Sequence, residues 1–175
     1  TSPEGVNYSQ MINKTLYGAV AYDQAFSYLS NYDETMPDNV EPKSSGGSYT
    51  VAEHKWDEAF GYFGARRDFL SPGDEGDCVD LTSEHNFVWA SYATKRDNDT
   101  ENIAYRNGVM FKEDIFNAFV DGRAIIHNEG TVGDLAPHMS MIRTRWEQLC
   151  AANVIHYIHS VKSDMASDLT STSVA

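Results

Sequence analysis

The chain has 175 residues, 41% hydrophobic and 12% aromatic, which suits one compact domain with a sizeable core. A formal net charge of -13, from 26 acidic and 13 basic residues, repels phosphate backbones, so nucleic acid is excluded as an expected partner and metal cations or basic partners are favoured. No apolar run is long enough to span a bilayer, so no transmembrane helix is expected.

The chain opens at Thr1 without an initiator Met and reads as a mature or trimmed piece. Asn7 to Asn31 forms the first expected helix. Ile12, Leu16, Ala19, Val20 and Phe26, with Met11, Tyr22 and Leu29 beside them, make a broad apolar face at helical spacing. Gly18, Ala19 and Ala21 are small enough to let a neighbouring helix come close. Tyr32 to Tyr49 is a loop, because Pro37, Pro42 and the run from Ser44 to Ser48 end the helix. Asn7, Asn13 and Asn98 open glycosylation sequons, which arise by chance in a chain this rich in Asn, Ser and Thr.

Thr50 opens the second helix, which runs to Phe63. Thr50 and Glu53 stand in capping-box spacing, each side chain able to satisfy the other's backbone N–H, so Glu53 is assigned a structural role. With His54 as origin on a wheel of about 100° per residue, Glu58 falls at about 40°, Asp57 at about 300° and Gly61 at about 340°. Trp56, Ala59, Phe60 and Phe63 occupy the opposite side, at about 140° to 240°. The aromatic side is core. The polar side is either solvated surface or, through His54, Asp57 and Glu58, a set of metal ligands within reach of one cation. Imidazole with carboxylate suits iron, zinc or manganese. One helix cannot complete such a site, and Gly61 leaves room for a second wall.

Gly64 to Ser83 is irregular and acidic. Asp74, Asp77 and Asp80 could hold calcium in a flexible oxygen-rich loop, but no register satisfies the EF-hand pattern, and a solvated acidic loop is the plainer alternative. Cys78 and Cys150 allow one disulfide without requiring it. Glu84 to Arg96 forms a third helix, and Asp97 to Gly108 a polar loop. Phe111 to Asn128 is the fourth, stopped by Gly130. Arg123 lies near its apolar face, either snorkelling or paired with a buried carboxylate, and the snorkelling reading is adopted.

Pro137 is placed in the first turn of the longest helix, which runs to about Met165 with Met139, Ile142, Trp146, Leu149, Cys150, Asn153 and Tyr157 in a nearly heptad pattern. His156 and His159 share a face without a carboxylate nearby in sequence, which reads as polar filler. Five helical segments and no strand alternation predict an all-α antiparallel bundle in a single domain. The H-E-x-x-H, G-x-S-x-G, P-loop and dinucleotide patterns are absent, so nothing in the residues themselves points to catalysis.

The stretch EHKWDEAFGYFGARRD resembles the imelysin-related family of bacterial envelope proteins. So do NKTLYGAVAYDQA before it and FNAFVDGRAIIHN and IRTRWEQLCAANVIHYIHSVKSDM after it, and together these cover nearly the whole chain. The resemblance implies an all-helical, exported protein of the periplasm or outer membrane, linked to iron acquisition, with a peptidase activity described for some members. The family signature G-x-H-x-x-E is proposed to bind metal. His54 matches its His, Asp57 stands at the Glu position, Glu58 is able to substitute, and Ala52 replaces the Gly. The resemblance further implies that the chain is the C-terminal part of a longer protein, whose N-terminal half or another envelope protein would be a partner. Three functions follow as expectations: a metal-binding protein holding iron or zinc, a metallopeptidase using the same site, or a non-catalytic protein- or polysaccharide-binding module.

Overall fold

A computed structural model describes residues 5–30, 47–70, 87–99 and 108–171, with side chains as far as 167. Among them the fold is an all-α bundle. Helix α1 (Tyr8–Leu16), a π-helical turn (Tyr17–Tyr22) and α2 (Asp23–Ser30) follow one another without a break. Helix α3 is Val51–Phe63, α4 Val88–Asp97, α5 Phe111–His127 and α6 Val132–Ser171.

Local chemistry explains most of the boundaries. The Asn7 side chain accepts from the Gln10 N–H and starts α1. Both arms of the Thr50–Glu53 capping box form, at 2.8 and 3.1 Å. Gly64 ends α3 in the left-handed region at φ 86°, where a Cβ would overlap the Phe87 carbonyl. The start of α5 is held from a distance, since the Asp97 carboxylate accepts from the Phe111 and Lys112 N–H groups.

Three features differ from expectation, one of them being that α6 runs on to Ser171, past the expected end near Met165. Helix α6 begins at Val132, five residues before Pro137, because Thr131 and Asp134 form a second capping box. Pro137 therefore sits inside the helix, past the first turn, with its ring exposed. The first helix is interrupted by the π turn, and Gly18 has nothing within 4 Å of where a Cβ would stand, so no neighbour approaches closely there.

Cross-bundle pairs fix the directions. Tyr22 meets Glu147 and Ser30 meets Arg143, so the first rod runs antiparallel to α6. Asp114 meets Arg145 across the α5–α6 hairpin. Trp56 packs on Phe119 and Phe60 on Phe116, which sets α3 antiparallel to α5. The core centres on fully buried Trp146, whose ring lies 5.0 Å from Phe63, 5.4 Å from Phe26, 5.7 Å from Tyr22 and 6.1 Å from Trp89.

Candidate functional site at the seam of α3 and α5

Helix α3 presents its polar side in two directions. His54 Nε2 lies 3.3 Å from Glu58 Oε1, one turn on, and the imidazole stacks on Tyr49 with centroids 5.5 Å apart. Next to Glu58, the Tyr28 phenol of α2 is raised above 10.0, first by loss of water and then by the Glu58 charge. Asp57 faces the other way. Its Oδ1 accepts from Arg123 Nε of α5 at 3.0 Å. The expected ligand strip is thus divided: His54 and Glu58 meet, and Asp57 pairs with a guanidinium. Among the described residues, no group of three or more His, Cys, Asp or Glu side chains is placed to hold one ion. Gly61 is open, with nothing within 4 Å of where a Cβ would stand.

Arg123 is not a snorkelling side chain. Its Nη1 donates to Glu53 Oε1 at 2.6 Å, and His127 Nδ1 reaches the same oxygen at 2.9 Å. Glu53 is 4% exposed on the α5 side of the helix, and a carboxylate so placed needs a charge partner. Burial pushes its carboxyl up. Hydrogen bonds from the Thr50 N–H, His127 and Arg123 outweigh burial and hold it below its ordinary 4.5. The Asp57 side chain remains 55% exposed. Loss of water along the seam moves its carboxyl above 3.8, and Arg123 opposes that shift.

Beside this ion-pair group the α3–α5 seam opens into a cleft of about 390 Å³. Trp56, Phe60, Phe116 and Phe119 form its aromatic wall, with Val120 at the mouth. Asp57, Arg67 and Arg123 supply charge at the edge. Two contacts hold the wall in place. Trp56 Nε1 donates to the Phe119 carbonyl at 2.8 Å, and the indole lies directly over Gly122, where a Cβ would overlap the ring. The cleft offers an apolar surface with convergent charged groups, the usual constitution of a ligand site, and its volume falls in the usual range.

Sequence reasoning put Trp56, Phe60, Phe116, Phe119 and Val120 on apolar helix faces and Asp57 on the polar strip, but named neither Arg67 nor the cleft and adopted the snorkelling reading of Arg123 over its pairing. The available signal was the apolar face of α5, whose Phe116 and Val120 edge extends beyond what one buried stripe needs. His156, read as filler, finds a carboxylate across the bundle: its Nδ1 is 3.0 Å from Asp99 Oδ2, with Arg96 on the same oxygen at 3.4 Å. Cys150 carries a free thiol, and burial, with the Glu147 charge, pushes it from 9.0 to about 11. The calcium-loop residues Asp74, Asp77 and Asp80, and Cys78, lie outside the described residues.

No curated protein and no solved structure matches the chain. Residues 1–175 match the family model described as "Domain of unknown function (DUF4856)", and the chain belongs to that family.

Proposed function

We propose that this chain is a non-catalytic protein-binding module that engages its partner through the α3–α5 cleft. The observation carrying this reading is the aromatic wall of Trp56, Phe60, Phe116 and Phe119 beside Arg67 and Arg123. A wall of this kind takes an apolar side chain of a protein segment, and the Arg67 guanidinium takes an adjacent carboxylate, Arg123 being held by Glu53 and Asp57. A polysaccharide would need more hydrogen-bonding groups against its hydroxyls than this lining presents. The resemblance to imelysin-like proteins supports a place at the bacterial cell envelope. It is also the ground for iron acquisition as the wider process. The metallopeptidase alternative asks Asp57 to assist a metal or a water, and the Arg123 charge already engages it.

The test is peptide display against the purified chain and its Val120→Asp variant, a change at the exposed mouth of the cleft. Enrichment of peptides joining an aromatic or aliphatic residue to Asp or Glu, lost in the variant, is the expected result. Enrichment indifferent to Val120, or no enrichment, refutes the assignment.

One observation favours a second reading. His54 and Glu58 lie 3.3 Å apart without engaging Arg123, a two-point start for iron or zinc completed by water or a partner. Metal titration of the wild type and His54→Ala separates the two readings, because the variant leaves the cleft intact. Equal metal uptake by both proteins would sink this second site.

A further inference from the structure

Helix α1 is mounted the wrong way round for an isolated bundle. Its lysine, itself exposed, lies on the side facing the bundle, while its apolar residues lie on the outward side. Lys14 Nζ lies 5.2 Å from the Tyr17 ring, 4.4 Å from the Tyr92 ring of α4 and 6.0 Å from the Tyr157 ring of α6. No residue of α1 is buried. Tyr8, Met11, Ile12, Leu16 and Val20 are between 47% and 60% exposed and form an outward strip. The π turn produces this inversion. One extra residue in a turn rotates everything before it by about 100° relative to α2, whose Ala25, Phe26 and Leu29 remain in the core.

A second strip lies at the same end of the bundle, beyond the Tyr92–Tyr157 contact. Val154, Ile158, Val161 and Met165 recur on α6 at steps of four, three and four, the spacing of a coiled-coil seam. With Tyr157, they are between 48% and 61% exposed.

We propose that these two strips are a dimer interface: α1 of one copy lies on α6 of the second copy, and the reverse contact is made by the twofold axis. Three observations select a second copy. The strips match in length, since Tyr8 to Val20 spans about 18 Å and Val154 to Met165 about 16 Å. Together they present on the order of 1,000 Å² per copy, against the ~800 Å² per partner of a standard stable interface. They also avoid the charge that would keep two copies apart. The chain carries a net -13, yet residues 5–22 contain no Asp or Glu and residues 148–165 contain only Asp164. An isologous contact needs the same patch to be complementary to itself, and two apolar strips of equal length at one end of the bundle meet that condition.

The test is the solution mass of the 175-residue chain across a concentration series by sedimentation equilibrium. The wild type should reach twice 19.6 kDa. Ile12→Lys and Ile158→Glu, both at exposed positions, should each weaken the dimer by ~10-fold or more with unchanged far-UV circular dichroism. The double variant, which sets Lys against Glu across the contact, should recover dimer relative to either single change. A monomeric wild type, or a dimer indifferent to both single changes, overturns the proposal. A double variant no tighter than the singles overturns the pairing of α1 with α6.

Discussion

Gly122 and Gly61 show how little a glycine's position in sequence says about its use. Three glycines lie inside predicted helices, and the sequence points to Gly18 and Gly61 as the places of close approach. Neither has a neighbour within 4 Å. The close approach is at Gly122, under the Trp56 indole. A helical wheel reveals which side of a helix a residue occupies but not which side chain of another helix presses on it. Gly122→Ala should displace the indole and strain its bond to the Phe119 carbonyl, costing about 2–4 kcal/mol from overpacking and one weakened buried hydrogen bond. Gly61→Ala should instead stabilise α3 by up to ~1 kcal/mol, because it lowers unfolded-chain entropy without meeting anything. Urea midpoints of the two variants check the pair, and equal shifts would contradict the Trp56–Gly122 packing. The same limit applies to Glu53. Its cap was legible from Thr50 three residues away, whereas its partners Arg123 and His127, 70 and 74 residues on, were not.

At the scale of elements, periodicity located the helices well and their interruptions poorly. The apolar face projected from Asn7 to Asn31 assumed an unbroken 3.6-residue repeat. The π turn divides that face into a buried half at Ala25, Phe26 and Leu29 and an exposed half at Ile12 and Leu16. In α6 the prominent Pro137 drew the boundary to itself, while the quieter Thr131 and Asp134 actually set it. Pro137 consequently costs α6 a hydrogen bond that the Gly133 carbonyl would otherwise accept, and its ring crowds that carbonyl. Pro137→Ala should therefore raise stability, by about 1–3 kcal/mol, with the ring's exposed position leaving no packing to lose. Thermal and urea unfolding should both move upward, and a lower midpoint would contradict the cost assigned to Pro137 inside α6.

For the whole molecule, buried Glu53 and half-buried Tyr22 and Cys150 bound the pH range of stability from both sides. Glu53 has a folded pKa below its ordinary 4.5, so its contribution is complete above pH 4.5 and is lost as the pH falls through the folded value. Asp57, raised above 3.8, works in the opposite sense over the acid range, so the comparison that isolates Glu53 is wild type against Glu53→Gln. At the alkaline end, Tyr22 of the π turn and Cys150 of α6 lie near Glu147, where the π turn meets α6. Burial first, and the Glu147 carboxylate second, push the phenol from 10.0 to about 12 and the thiol from 9.0 to about 11. A raised acid stabilises the fold in its neutral form. That contribution is complete below pH 9 and is lost as the pH rises from 9 to 12. Urea midpoints measured across pH should therefore show a plateau with falling limbs below about pH 4.5 and above about pH 9. Glu53→Gln should flatten the acid limb and leave the alkaline one. Tyr22→Phe and Cys150→Ser should do the reverse. Glu147→Gln should move the alkaline limb only in part, because burial, the larger cause, remains. Stability still rising beyond about pH 10 would contradict the placement of Tyr22 and Cys150 where the π turn meets α6, which is also where the buried half of the first rod gives way to its outward-facing half.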